Sequence, residues 1–156
     1  MTRWPQGQVE VQGLIDRGEL STVPASAVQA EALLADAARH FRSAEAIAAS
    51  DPSAAYAVMY DGARKALAAI LAQQGLRATS KGGHLAVQNA VEAQFGQARQ
   101  VVRPFGRIRR RRNDAEYPSL DNPAIDTDEV LRDIPKGRAL AEAAAKILPE
   151  MGPWSQ

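Results

Sequence analysis

The segment that most restricts the fold is SDPSAAYAVMYDGARKALAAILAQQGL, which runs from Ser50 to Leu76. Asp51 is suited to cap a helix, Pro52 to occupy its first position, and Gly75 to follow its last turn. Apolar residues recur between these ends at helical spacing, at Tyr56, Met59, Tyr60, Ala63, Leu67, Ile70 and Leu71. The pattern predicts one long helix whose apolar face is central to the core.

Composition extends this prediction to the whole chain. Hydrophobic residues make up 46% of the sequence but aromatic residues only 5%, so alanine carries much of the apolar content. Alanine favours helices and is depleted in strands. A chain of 156 residues is the size of one domain and can bury about 70% of its unfolded surface. We therefore predict an all-α, antiparallel bundle of about five helices with no convincing strand.

Glycine and proline residues divide the rest of the chain. Besides the helix after Asp51, helices are predicted at 24–49, 84–95, 103–117 and 126–148, the last of them kinked at Pro135. The domain organisation is a leader at 1–23 with a short helix at 9–17, a bundle at 24–149, and a tail at 150–156. The tail is expected to fray, although Trp154 can pack onto the surface.

Several classes of function are excluded by composition. The chain has no cysteine, which removes disulfides, thiolate zinc sites and cysteine nucleophiles. Its two histidines, His40 and His84, and its scattered acids give no metal-ligand pattern, so neither a metal nor a cofactor is expected. No apolar run at the N-terminus has the length found in a signal peptide, and no apolar run elsewhere approaches the length of a membrane span. The sequence predicts a soluble, unprocessed, cytoplasmic protein.

Charge is strongly divided along the chain, although its formal net value is only +1. The stretch 99–112 holds seven arginines and no acid, and the stretch 114–133 holds seven acids and one arginine. On a helix, Arg112 can reach Glu116 one turn later, and Asn113 and Tyr117 share that helix end. A basic block of this kind attracts polyanions. The alternative to a binding site, a solvated basic helix face with a few ion pairs, stays open.

Two stretches resemble the HEPN superfamily, whose members are small helical proteins often encoded beside minimal nucleotidyltransferases. They are RRNDAEYP and YAVMYDGARKALAAILAQQGLRATSKGGHL, and the similarity in helix pattern covers residues 25–148. The family motif is an arginine, usually followed by a polar residue, and then a histidine a few positions later on a late helix. Arg112 and Asn113 match its start, whereas Tyr117 stands at the histidine position.

The resemblance implies a homodimer in a toxin–antitoxin or defence context, with an arginine-lined cleft that binds RNA. In the family's ribonucleases, Arg and His from two subunits act on the 2′-hydroxyl and the scissile phosphate, so an enzymatic form would be a metal-independent endoribonuclease. Tyr117 is a poorer base than histidine, because its ordinary pKa is about 10 rather than about 6.5. Candidate catalytic residues are Arg112, Asn113, Glu116 and Tyr117. Candidate nucleic-acid contacts are Arg107, Arg109, Arg110 and Arg111, with His84 as an accessory residue.

The replacement at Tyr117 leaves two functional hypotheses open. In the first, the arginine cleft binds RNA and cleaves it with altered catalytic groups. In the second, the protein is a non-catalytic helical module that engages a nucleotidyltransferase or another partner, and the arginines only position an anion. An RNA cleavage assay discriminates between them.

Overall fold

The computed structural model describes residues 2–155, and this part of the chain is mostly helical. Its α-helices are α1 Gln8–Asp16, α2 Ala27–Ile47, α3 Pro52–Gln74, α4 Gly83–Phe95, α5 Arg103–Ala115 and α6 Thr127–Ile147. Short 3-10 helices follow α4 and α6, at Gly96–Val101 and Leu148–Glu150. The predicted all-α class is therefore confirmed in its broad form, but residues 2–155 contain six α-helices rather than about five.

The expectation that the chain has no strand is wrong. Strand β1, Leu20–Thr22, pairs antiparallel with β2, Leu76–Ala78. Each strand has three residues, which is too short for a two-residue alternation to be recognised in the sequence. The pairing closes the segment after α1 onto the segment after α3, and the link before α4 begins where β2 ends.

Local capping signals are where the sequence predicted them. The Asp51 side chain accepts a hydrogen bond from the backbone N–H of Ala54 at 3.1 Å, at the start of α3. Asp126 accepts one from the N–H of Glu129 at 2.9 Å, at the start of α6. Each bond satisfies a backbone donor that the first helical turn leaves free. Both predicted helix starts are confirmed.

The core is built around α3, which packs against α2, α5 and α6. Every residue of the apolar pattern predicted for α3 is buried. Phe41 of α2 lies against Gly62 of α3 and Gly137 of α6, where a methyl group would approach its ring to 3.1 and 2.7 Å. The two glycines therefore let three helices meet closely around one aromatic ring.

Both chain ends contribute to the core. Val11 and Leu14 of α1 are buried, so the predicted leader is part of the packed structure. Near the C-terminal end of the described residues, the backbone N–H of Trp154 donates to the Gln74 carbonyl at 2.7 Å, and Trp154 is 3% exposed. Arg3 lies over this ring, 4.4 Å from its centroid, and its Nε donates to the Trp154 carbonyl. Burial of the large ring offsets the cost of ordering the tail.

Between residues 2 and 155, none of the helices combines the length and the apolarity needed to cross a bilayer.

Candidate functional site

The arginines of α5 divide into two groups because the helix is packed on both sides. Phe105 and Ile108 are buried and fix the rotation of α5 on the core. Arg107 and Arg111 are one turn apart and therefore share a side of the helix, which faces α6. Arg112 lies on the side that faces Tyr60 of α3. Arginines that are close in sequence therefore contact two different helices, α6 and α3.

On the side that faces α6, the arginines form ion pairs that join α5 to α6. Arg107 forms two hydrogen bonds to Asp133, at 2.8 and 3.2 Å. Arg111 forms two to Glu129, at 2.5 and 3.1 Å, and a third to the Pro123 carbonyl. Such paired contacts match the planar guanidinium to a carboxylate. The structure therefore places two of the four expected nucleic-acid contacts in ion pairs between α5 and α6.

Asp133 is the centre of this attachment. Its side chain is completely buried, and it also accepts hydrogen bonds from Tyr56 at 2.8 Å and Lys136 at 3.2 Å. Burial alone would raise the pKa of the Asp133 carboxyl, but the hydrogen bonds from Arg107, Tyr56 and Lys136 outweigh it and lower the pKa from 3.8 to about 2. The carboxylate is therefore ionised wherever the protein is folded near neutral pH.

We expect stability to fall at acidic pH through this carboxyl. Because the pKa of Asp133 is about 2 in the folded protein and 3.8 without its partners, its contribution is complete above about pH 4 and is lost as pH falls through about 2. The loss should be about 2 kcal/mol of unfolding free energy. Urea unfolding between about pH 5 and pH 2 measures it. Equal pH dependence in the wild type and in Asp133→Asn would contradict this origin.

The other side of α5 forms a different group, which we call the Arg112 cluster: Tyr60, Arg64, His84, Arg109 and Arg112. The Tyr60 hydroxyl and Nδ1 of His84 are 2.5 Å apart and share a hydrogen bond. The Arg112 guanidinium lies over the Tyr60 ring, 5.3 Å from its centroid. Three helices, α3, α4 and α5, thus bring a phenol, an imidazole and guanidinium groups together.

The pKa of the His84 imidazole lies below its ordinary value. Partial burial lowers the pKa of the His84 imidazole, and the positive charges of Arg64, Arg112 and Arg109 lower it further. Burial raises the pKa of the Tyr60 phenol, so this group stays protonated. A neutral imidazole retains a lone pair that can accept a proton at neutral pH. His84 is also solvent-exposed, so a ligand can reach it.

The guanidinium groups of the cluster are incompletely paired. The Nε atoms of Arg109 and Arg112 are buried and have no hydrogen-bond partner within residues 2–155. Among the described residues, the polar partners of the Arg112 guanidinium are the half-exposed Glu116 carboxylate, at 3.5 Å, and the Asn113 amide oxygen, at 3.1 Å. Arg64 is paired with Asp61. Buried donors without acceptors carry a free-energy cost, and the terminal nitrogens of these partly exposed guanidinium groups are the atoms that can donate to an anion.

The predicted motif is only partly assembled. Arg112, Asn113 and Glu116 lie together as the sequence predicted. Helix α5 ends at Ala115, and Tyr117 lies past this end with its side chain 82% exposed and without a hydrogen bond or ring contact among the described residues. Arg110 is exposed as well. The imidazole near Arg112 is that of His84, from the start of α4.

Sequence reasoning missed the role of Tyr60 in this site. The residue was predicted as part of the apolar face of its helix, and its ring is indeed buried, stacked on Phe105 at 5.4 Å. Its hydroxyl, however, reaches His84, which is 24 positions away in the chain. A signal did exist in the sequence, because His84 opens a helix after the loop SKGG. The sequence did not indicate which side chain His84 would contact.

Two of the larger cavities differ in their relation to the cluster. The larger, about 950 Å³, is open, is lined by acids as well as arginines, and contains no residue of the Arg112 cluster. The other, about 630 Å³, has Arg64 and His84 in its wall. The second cavity therefore extends the site, whereas the first has no such connection.

Residues 2–155 contain no group of three or more His, Asp or Glu side chains placed to hold a metal ion. Comparisons with protein-family models, with curated proteins and with solved structures give no match to this chain. A function for the protein therefore has to follow from the arrangement of its side chains.

Proposed function

We propose that the chain is a HEPN-like RNA-binding protein of a toxin–antitoxin or defence system, whose Arg112 cluster holds a phosphate of RNA. The observation that carries the proposal is the incomplete pairing of the Arg109 and Arg112 guanidinium groups within residues 2–155, beside a histidine whose pKa is lowered. Guanidinium groups match phosphate oxygens in geometry and charge. Arg112 and Asn113, the two residues that match the family motif, lie at this cluster.

The proposal includes a metal-independent endoribonuclease activity. The hydrogen bond between Tyr60 and His84 can run in either direction. In the tautomer whose Nδ1–H donates to the Tyr60 hydroxyl oxygen, Nε2 of His84 can take the proton of an RNA 2′-hydroxyl. The 2′ oxygen then forms a bond to phosphorus, the bond from phosphorus to the 5′ oxygen breaks, and that oxygen takes a proton from solvent. The products are a 2′,3′-cyclic phosphate and a 5′-hydroxyl. Arg112 stabilises the negative charge that develops on the phosphate.

A homodimer belongs to the same proposal. Leu85, next to His84, is 50% exposed, and Tyr117 past the end of α5 is 82% exposed. Large apolar side chains at the edge of a cationic site are suitable contacts for a second copy of the chain. In such a dimer the cluster of one subunit would face that of its partner. Light scattering of the purified protein measures this directly.

Tyr117 favours a second candidate function, a non-catalytic module. The motif position holds an exposed phenol instead of a histidine, so the family's own proton-transfer group is missing from this helix. In this form the cluster binds the RNA phosphate or an acidic segment of a partner protein such as a nucleotidyltransferase, and nothing is cleaved.

The test compares RNA binding and cleavage in matched variants. Arg112→Ala and Arg109→Ala should each weaken binding of a labelled single-stranded oligoribonucleotide about tenfold, and should lower the salt dependence by about one phosphate contact. Arg138→Ala is the control, because that arginine pairs with Glu45 of α2. Fluorescence anisotropy at several salt concentrations measures both quantities. Binding that is unchanged in both cluster variants would rule out the phosphate site.

Cleavage is measured with the same oligonucleotide in the presence of EDTA. The wild type should release a product that ends in a 2′,3′-cyclic phosphate, and His84→Asn should bind RNA normally but cleave it about a hundredfold more slowly. Tyr117→Phe should cleave like the wild type, because Tyr117 makes no contact with the cluster. A wild type that binds RNA without cleaving it would support the non-catalytic form.

A further inference from the structure

The cavity beside His84 has two chemically different parts. Its volume is about 630 Å³, and it lies between α2, α3, α4 and β2. Its apolar part includes Leu33, Ala68, Leu71, Leu76 and Val87. Its polar part includes Arg64, Arg77, Ser80 and His84. A cavity of this size that is largely apolar, with a few polar groups at the edge, is typical of small-ligand sites.

Arg64 and His84 belong to both the cavity and the Arg112 cluster. A phosphate held at the cluster would therefore lie at the mouth of the apolar cavity. The ligand that fits both parts has an anionic group joined by a short spacer to a flat, mostly apolar group that carries hydrogen-bonding edges. A nucleotide has these features, and so does one unstacked residue of single-stranded RNA.

The wall of the cavity is held in place before any ligand binds. The link from β2 to α4 is tied to the segment after α1 by three hydrogen bonds: Thr79 N–H to the Glu19 carbonyl at 3.1 Å, Thr79 Oγ1 to the Gly18 carbonyl at 2.5 Å, and Lys81 Nζ to the Arg17 carbonyl at 2.7 Å. Gly82 lies so close to Glu19 that a methyl group would meet its carbonyl at 2.1 Å. The cavity is therefore preformed, which reduces the ordering cost of binding.

We infer that this cavity is a nucleobase subsite, which receives one unstacked base of single-stranded RNA while the adjacent phosphate lies at the Arg112 cluster. The inference rests on the proposed function, because the cluster supplies the phosphate contact. Arg77 and Ser80 at the edge of the cavity offer donors and an acceptor to the edge of the base. The apolar residues cover its faces. The protein thus binds single-stranded RNA through one base in the cavity as well as through a phosphate of the backbone.

The experiment uses two labelled oligoribonucleotides that differ only in whether the central position carries a base. The wild type should bind the complete strand about tenfold more tightly than the strand with one abasic ribose, because loss of one buried base removes a contact of this size. Ala68→Phe fills the cavity from α3 and should abolish the difference by weakening only the complete strand. Ala145→Phe adds the same side chain at an exposed position of α6 and should preserve the difference.

A second measurement does not depend on how the variants fold. A 4-thiouridine placed at the central position should, on irradiation of the wild-type complex, crosslink to residues 76–87, which mass spectrometry can identify. Equal affinity of the wild type for the two strands, or crosslinks confined to other segments, would overturn the base subsite while leaving the phosphate site intact. Failure of the wild type to bind either strand would overturn both proposals.

Discussion

Replacing Asp133 by alanine is expected to lower the free energy of unfolding by about 3 to 5 kcal/mol. The carboxylate is fully buried and accepts hydrogen bonds from Arg107, Tyr56 and Lys136. Its removal leaves the buried Tyr56 hydroxyl without an acceptor and separates the Arg107 charge from its partner. Chemical denaturation with urea measures the change. Glu142→Ala, at an exposed position of the same helix, should change the value by less than about 0.5 kcal/mol.

A double variant tests the physical origin of this loss. Asp133→Leu combined with Tyr56→Phe removes the buried acceptor and the buried donor together, and Arg107 can turn to solvent because its side chain is 43% exposed. We expect the double variant to be more stable than Asp133→Ala, since no buried polar group is left unpaired. If the double variant were the less stable of the two, the unpaired Tyr56 hydroxyl would not be the main cause of the loss, because both variants lack the same charge pair.

Replacing Gly75 by alanine is expected to cost about 3 kcal/mol or more. Gly75 follows α3 with φ of 74°, a conformation that costs other residues about 1 to 2 kcal/mol. An added methyl group would also lie 2.5 Å from the Val23 carbonyl oxygen and 3.0 Å from the Ala25 nitrogen. These atoms are backbone, and the Val23 N–H is itself bonded to the Gly75 carbonyl at 2.8 Å. The clash therefore cannot be relieved by a side-chain rotation.

Gly18 provides a matched control for Gly75. It has the same φ of 74°, but no atom lies within 4 Å of the position that a methyl group would take. Gly18→Ala should therefore show only the conformational cost, about 1 kcal/mol. The difference between the two variants, measured in the same urea titration, isolates the effect of the contact with Val23. Equal losses would show that backbone conformation alone explains both.

The helix ends were predictable because they depend on neighbours in sequence. Asp51 and Asp126 cap the backbone three positions ahead, and Gly75 ends the helix that it follows. The contact between Arg112 and Glu116, one turn apart, was predictable for the same reason. The two strands were not, because three residues give no repeat and their pairing joins segments more than fifty positions apart.

In the candidate site, too, some features were predictable from the sequence and others were not. The sequence displayed a basic block followed by an acidic one, but it did not show that Arg107 and Arg111 would be neutralised by Asp133 and Glu129. Nor did it show that Arg112 would face a tyrosine and a histidine from two other helices. These outcomes depend on how α5 is rotated against the core, which the burial of its apolar residues fixes.

By itself, the sequence determined that this protein is a helical domain and that one of its helices carries a run of arginines followed by acidic residues. It could do so because helix propensity, capping and apolar spacing are local properties of the chain. Only the tertiary structure decided which arginines hold the fold and which lie beside His84. The physical reason is that neighbouring arginines on a helix point in different directions, and the packing of α5 between α3 and α6 gives each direction a different partner. The same packing leaves Tyr117 exposed past the end of α5 and places His84 near Arg109 and Arg112.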